Sequence, residues 1–138
     1  MSVSFTGERL HEGNELFGVD LARHRAAYGF AAERAAGGRV LDLGCGSGYG
    51  AAELAQTAPG VVGLDRIPPD SHVREAPVSF VRGDLNGIPL SARAFDLVVS
   101  FQVIEHLEDP TLYLDAMARM RKPEGLAIVT TPNLLMSD

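Results

Sequence analysis

Asp42 and three glycines, Gly44, Gly46 and Gly48, occupy alternate positions in the segment VLDLGCGSGYG, residues 40–50. The segment begins with an apolar run, which indicates a buried strand. Glycines after such a strand let the main chain come close to a ligand, and N–H groups at the start of the next helix can bind it. A carboxylate two residues before the first glycine favours a ligand that carries a cationic group.

A dinucleotide such as NAD is the alternative ligand for a glycine loop of this kind. Its fingerprint is G-x-G-x-x-G, and the third glycine allows the helix to pack closely on the strand. Counted from Gly44, that third position is Tyr49. In addition, the negative charge of Asp42 would not help to bind a pyrophosphate. Counted from Gly46, it is Ala51, so a permissive form of the fingerprint stays open. A nucleotide-dependent oxidoreductase is therefore disfavoured.

Apolar strands alternate with helices along the chain. The predicted strands are 39–44, 61–65, 78–84, 94–102 and 125–132, and the predicted helices are 21–36, 49–58 and 109–122. Asp20 is the predicted N-cap of the first helix, and Arg119, Arg121 and Lys122 form the basic last turn of the third. The strands lack a polar face, which is typical of a parallel sheet covered on both sides. In such a sheet, ligands bind at the carboxyl ends of the strands, where the glycine loop begins.

Four segments in this order resemble the class I S-adenosylmethionine-dependent methyltransferases, in the type 11 branch that includes quinone-biosynthesis enzymes. They are the D-x-G-x-G-x-G loop, FVRGDL, FDLVVSFQVIEHLEDP and GLAIVTTPN, and the resemblance covers about residues 20–133. It implies a Rossmann-like, doubly wound, mostly parallel α/β sheet with strand order 3-2-1-4-5. It also implies S-adenosyl-L-methionine as cofactor and a small-molecule methyl acceptor that reacts by in-line displacement. A non-catalytic S-adenosylmethionine-binding module is the alternative.

The resemblance also assigns roles to individual residues. The methionine part of the cofactor would be surrounded by Asp42, Gly44, Cys45, Gly46 and Gly48. The ribose would be bound by Asp65 and Arg66, and the adenine by Asp84 and Leu85. Another side of the cofactor would be lined by Phe101 and Gln102. An acidic residue in the place of Asp65 also binds ribose in NAD enzymes, so it does not separate the two cofactors. His106 is the candidate general base, since a histidine there could accept a proton from the acceptor. The alternative for His106 is a structural role.

Three further features have a plain structural interpretation. Cys45 is the single cysteine, no basic residue adjoins it, and we expect a buried, unreactive thiol. The segment HEGNE, residues 11–15, lacks the second histidine of a zinc-protease helix, so no metal site is expected. Tyr28 lies on the first helix and is expected in the core, or else that helix closes over the cofactor.

Composition limits the remaining possibilities. The 138 residues suggest an N-terminal arm, 1–20, and one domain, 21–138, and the formal net charge of −6 disfavours nucleic acid as a partner. The sequence has a single cysteine, no signal-peptide pattern and no apolar run of membrane-spanning length. These features favour a cytoplasmic location and no association with a membrane.

The chain is expected to stop before the last helix and the antiparallel strand pair of the full fold. The edge of the fifth strand, at Leu126, Ile128 and Val129, would then pair with a second copy in a homodimer.

Overall fold

The computed structural model describes residues 17–131, which form a five-stranded parallel sheet between two layers of helices. The elements are α1 (Phe17–Ala35), β1 (Arg39–Leu43), α2 (Tyr49–Leu54), β2 (Gly60–Asp65), β3 (Val78–Arg82), β4 (Phe95–Phe101), α3 (Pro110–Met120) and β5 (Arg121–Thr130), with single 3₁₀ turns at Ser71–Val73 and Ile104–His106. The strand order is β3-β2-β1-β4-β5, and every pairing is parallel. The predicted fold and strand order are confirmed.

Both faces of the central strands are covered, as their apolar sequences predict, whereas the edge strands β3 and β5 have no fully buried residue. Val40 packs in a cluster with residues of α1 and α2, whereas its neighbour Leu41 packs in a cluster with residues of α3. Neither side chain is exposed. Because successive strand residues point to opposite faces, β1 needs apolar residues at consecutive positions rather than at alternate ones.

The boundary between α3 and β5 differs from the prediction. The helix ends at Met120 and the strand begins at Arg121, so Arg121 and Lys122 do not belong to a basic last helical turn. The carbonyls of Arg119 and Met120 accept hydrogen bonds from Arg93 and Ala94, which precede β4. These tertiary bonds satisfy carbonyls at the end of the helix, and a cap from the sequence itself is not needed.

The start of α1 also differs from the prediction. The helix begins at Phe17, so Asp20 lies within it and is not the N-cap. Residues 1–16 lie outside the described part of the chain, as does HEGNE. The division into an arm and a domain therefore stays a prediction.

Gly50 lets α1 and α2 pack closely together. A Cβ atom at this position would overlap the ring of Tyr28, a buried residue of α1. Gly50, two residues after the last glycine of the motif, is therefore required by the packing of α2 against Tyr28.

We predict opposite effects for two glycine-to-alanine substitutions in helices. Gly50→Ala should destabilise the fold by about 1–3 kcal/mol, because the new methyl group forces the Tyr28 ring to move. Gly29→Ala, in α1, meets nothing within 4 Å and should stabilise the fold by roughly 0.5–1 kcal/mol through the helix preference of alanine. Urea unfolding of both variants measures the difference, and equal stabilities would contradict the packing argument.

Candidate functional site

The loop between β1 and α2 has three glycines in the left-handed region, with φ of 76° at Gly44, 57° at Gly46 and 96° at Gly48. A side chain at Gly44 would meet Val103 at 2.5 Å, and one at Gly48 would meet Phe80 and Val73 at 2.9 Å. Nothing lies within 4 Å of the corresponding position at Gly46. Gly44 and Gly48 thus give room to the protein's own side chains, and Gly46 is the point where the bare loop faces open space.

Asp65, at the end of β2, holds this loop in place. Its Oδ2 accepts a hydrogen bond from the Gly46 N–H at 2.8 Å, and its Oδ1 accepts one from the Ile67 N–H at 3.2 Å. The residue is buried, with 4% exposed. Since a carboxylate oxygen can accept more than one hydrogen bond, Asp65 can serve the loop and still accept from a ligand.

Asp42 lies at the end of β1, the central strand, and is fully buried. The Tyr28 hydroxyl donates to its Oδ2 at 2.8 Å. Its Oδ1 is covered by protein and accepts no hydrogen bond from the described residues. Burial raises the pKa of the carboxyl from 3.8 to about 7; the hydrogen bond from Tyr28 opposes this rise, and the charge of Asp65 adds to it.

Phe101 and Gln102 end β4 beside this loop. The ring of Phe101 is buried edge-to-face against Tyr28, with 4.8 Å between the ring centroids. Gln102 has a φ of 58°, a strained value for a residue with a side chain, and its N–H donates to the Thr130 carbonyl at 3.0 Å. Such strain is typical of functional sites. The buried Oγ1 of Thr130 has no hydrogen-bond partner in the described residues, and no sequence pattern singles this threonine out.

His106 lies in the 3₁₀ turn that follows β4. Its Nε2 is 3.5 Å from the Glu105 carboxylate, and 14% of the histidine side chain is exposed. The turn adjoins the glycine loop, because Val103, whose carbonyl accepts from the His106 N–H, packs against Gly44. The structure thus brings the candidate base to the same edge of the sheet as Asp42.

Four other predicted site residues differ in how exposed they are. Asp84 is exposed, and the Asn86 N–H, which donates to its Oδ1 at 2.9 Å, holds the pKa of the carboxyl below its ordinary value. Leu85 is buried in the α3 cluster. Arg66 is exposed, and Cys45 is buried with its Sγ against Gly63. The expectation of a buried thiol at Cys45 is confirmed.

A cleft of about 410 Å³ opens beside the loop, between the ends of β2 and β3. Among its lining residues are Cys45, Asp65, Ile67, Phe80 and Arg82. Asp84, Gln102 and His106 do not line it, so this cleft covers only the β2 side of the predicted site.

Two kinds of feature are missing from the described residues. Within residues 17–131, no group of His, Cys, Asp and Glu side chains is placed to hold a metal ion. No helix in the same range is long and apolar enough to cross a membrane.

Comparisons with known proteins agree on one family. Residues 18–137 match a family model described as a methyltransferase domain. A probable S-adenosylmethionine-dependent methyltransferase of Mycolicibacterium smegmatis is 39% identical over 135 residues, which are 96% of this chain and 52% of that protein. A ubiquinone biosynthesis O-methyltransferase of Cereibacter sphaeroides is 33% identical over 107 residues, 69% of this chain and 41% of that protein.

A solved structure supports the same assignment. The phosphoethanolamine N-methyltransferase 2 of Haemonchus contortus, in complex with phosphomonomethylethanolamine and S-adenosylhomocysteine, superposes with a TM-score of 0.67 at 25% identity. The match covers 80% of this chain and 28% of that chain. This chain spans about half the length of the curated relatives that match it over nearly all of its residues.

We predict that Asp42 makes the stability of the protein fall as the pH rises. The folded state holds a proton on Asp42 up to a pH of about 7, whereas the unfolded state loses it near 3.8. Folding therefore takes up a proton between these pH values. The contribution of this proton uptake to the free energy of unfolding is lost progressively as the pH rises towards 7. The free energy of unfolding of Asp42→Asn, relative to that of the wild type, should increase by on the order of 2 kcal/mol from pH 5 to pH 8.

Thermal and urea unfolding across this pH range measure the difference. Asp96→Asn is the control, because the pKa of this exposed carboxyl is lowered by hydrogen bonds from the Arg39 N–H and Lys122. Its difference from the wild type should stay constant from pH 5 to pH 8. A constant difference for Asp42→Asn as well would contradict the raised pKa.

Proposed function

Because the chain belongs to the methyltransferase domain family, we propose that it transfers a methyl group from S-adenosylmethionine to a small-molecule acceptor. The observation that carries the proposal is the loop of residues 42–48, in which a buried carboxylate lies beneath glycines and Gly46 faces open space. An acidic group under an open main-chain loop suits a cationic ligand. It does not suit a pyrophosphate.

The residues at the carboxyl ends of the strands fit the different parts of this cofactor. When bound, S-adenosylmethionine supplies a methyl group on a sulfonium, already activated for displacement. The glycine loop with Asp42, Cys45 and the main chain of Gly46 would hold the methionine part, and Asp65 with Arg66 the ribose. The Asp84 carboxylate and the Leu85 N–H would hold the adenine, while Phe101 and Gln102 border the cofactor from β4.

The protein's contribution to catalysis is then mainly to hold and orient the reactants. Proximity and orientation can supply roughly 7–11 kcal/mol of a barrier. This agrees with a site rich in binding groups, in which His106 is the candidate base. Its position after β4, with the carboxylate of Glu105 nearby, supports a role in accepting a proton from the acceptor.

The acceptor, partners and location complete the proposal. The ubiquinone biosynthesis relative supports a small-molecule acceptor, and the net charge of −6 speaks against nucleic acid. The single cysteine supports a cytoplasmic location. β5 is an edge strand of the described sheet, and Leu126 on it is 46% exposed, which supports pairing with a second copy.

A module that binds S-adenosylmethionine without catalysis would use the same loop. The family match does not favour it, and turnover separates the two functions. A methyltransferase converts S-adenosylmethionine to S-adenosylhomocysteine in the presence of an acceptor, whereas a binding module does not.

We predict that the chain binds S-adenosylhomocysteine and binds NADH far more weakly, as calorimetry would measure. Asp65→Asn replaces one of the two carboxylate oxygens that can accept from the ribose. The dissociation constant of this variant for S-adenosylhomocysteine should therefore rise roughly 10- to 100-fold, the usual cost of losing hydrogen bonds to a charged group. Asp115→Ala, an exposed carboxylate on α3, is the control and should bind like the wild type. Tight NADH binding without S-adenosylhomocysteine binding would contradict the proposal.

We predict that His106→Ala lowers turnover about 10²- to 10⁴-fold with cofactor affinity retained, the usual contribution of a general base. Steady-state kinetics with an identified acceptor measure it. His72→Ala is the matched control, because this exposed histidine lies in the other 3₁₀ turn. A loss below tenfold for His106→Ala would assign the histidine a structural role.

A further inference from the structure

Tyr28 joins α1 to three other elements of the site. Its ring fills the space that Gly50 leaves on α2 and packs edge-to-face on Phe101 at the end of β4. Its hydroxyl donates to Asp42 at the end of β1. The ring contacts hold the hydroxyl in place, so the hydrogen bond to Asp42 depends on how α1 is docked.

This hydroxyl can only donate to the carboxylate. Burial, and then the charge of Asp42, raise the pKa of Tyr28 well above its ordinary value of 10, so the phenol keeps its proton. The other oxygen of Asp42, Oδ1, is covered and accepts no hydrogen bond from the described residues. A buried carboxylate with one donor is costly as a charge, and a proton or a nearby cation relieves that cost.

We propose that Tyr28 is a positioning residue of the cofactor site, which stabilises the charged form of Asp42 beneath the glycine loop and thereby links the docking of α1 to the binding of the cofactor's amino group. This inference rests on the proposed function, since it needs a cationic ligand in the loop. Asp42 acts on that ligand through its electric field. A carboxylate covered by protein attracts a cation more strongly than one in water, because the interior screens charge less.

The surroundings of the pair favour this linkage. Among the described residues, the ionisable groups that act on Tyr28 or Asp42 are Cys45 in the loop, Glu53 on α2 and Asp65 on β2, and Asp42 in turn acts on Tyr113 of α3. None of these groups is a cation. These surroundings therefore favour a protonated Asp42 near neutral pH, and a bound amino group would favour the carboxylate. Binding should release a proton below about pH 7.

The experiment compares two ligands on wild type and Tyr28→Phe by calorimetry from pH 5.5 to pH 7.5. S-adenosylhomocysteine carries the amino group, and 5′-methylthioadenosine has the nucleoside without the amino acid. For S-adenosylhomocysteine, Tyr28→Phe should shift the pH dependence of the dissociation constant upward by about one unit. This shift raises the dissociation constant about fivefold at pH 7 and about tenfold at pH 5.5. The affinity for methylthioadenosine should stay within about twofold, because that ligand carries no amino group for Asp42 to attract.

Two controls separate positioning from a general loss of packing. Tyr113→Phe removes another buried tyrosine hydroxyl, 2.6 Å from Ser100 Oγ on the opposite face of the sheet. It should lower the melting temperature while the pH dependence of S-adenosylhomocysteine binding stays that of the wild type. In an Asp42→Asn background, Tyr28→Phe should have no further effect on that affinity, because the two residues act as one unit.

The outcomes distinguish this inference from the proposed function. Wild-type protein that binds neither ligand would overturn the proposed function and this inference with it. If the wild type binds both, a Tyr28→Phe profile that superposes on the wild-type profile overturns the inference alone. Equal weakening of both ligands by Tyr28→Phe overturns it too, since that result indicates lost packing.

Discussion

The buried carboxylate of Asp42 is the constraint on which the rest of the site depends. It lies at the end of the central strand, between β2 and β4, with a helical layer over each face of the sheet. A charge in that position needs a donor, and the chain provides Tyr28 from α1. The raised pKa of Asp42 follows from the burial of an acid in the sheet, and Gly50 makes room for the Tyr28 ring whose hydroxyl donates to it.

The loops at the carboxyl edge form one connected frame. Asp65 holds Gly46 through its side chain, while its own carbonyl accepts from the Gly83 N–H after β3. Val103, after β4, packs against Gly44. The loops after β1, β2, β3 and β4 are therefore joined by the protein's own contacts, and such contacts reduce the entropic cost of ordering loops when a ligand binds.

Local signals in the sequence were sufficient to predict the strands and a parallel α/β sheet, whereas the strand order came from the resemblance to the methyltransferases. Uninterrupted apolar runs indicated strands buried on two faces, and the glycines at positions 44, 46 and 48 indicated the turn after β1. The end of α3 at Met120 could not be predicted, since the hydrogen bonds that satisfy its last carbonyls come from residues just before β4. For the same reason the sequence alone could not distinguish Gly46, which faces open space, from Gly50, which faces Tyr28. Those distinctions depend on contacts between distant parts of the chain.

The end of β4 contacts both apolar clusters of the core. Phe101 packs into the cluster of α1 and α2, and Val103, two residues later, packs into the cluster of α3. The chain crosses from one face of the sheet to the other within three residues, and the left-handed backbone of Gln102 makes this crossing possible. The turn with His106 follows directly, so the candidate base lies five residues after a ring that packs on α1.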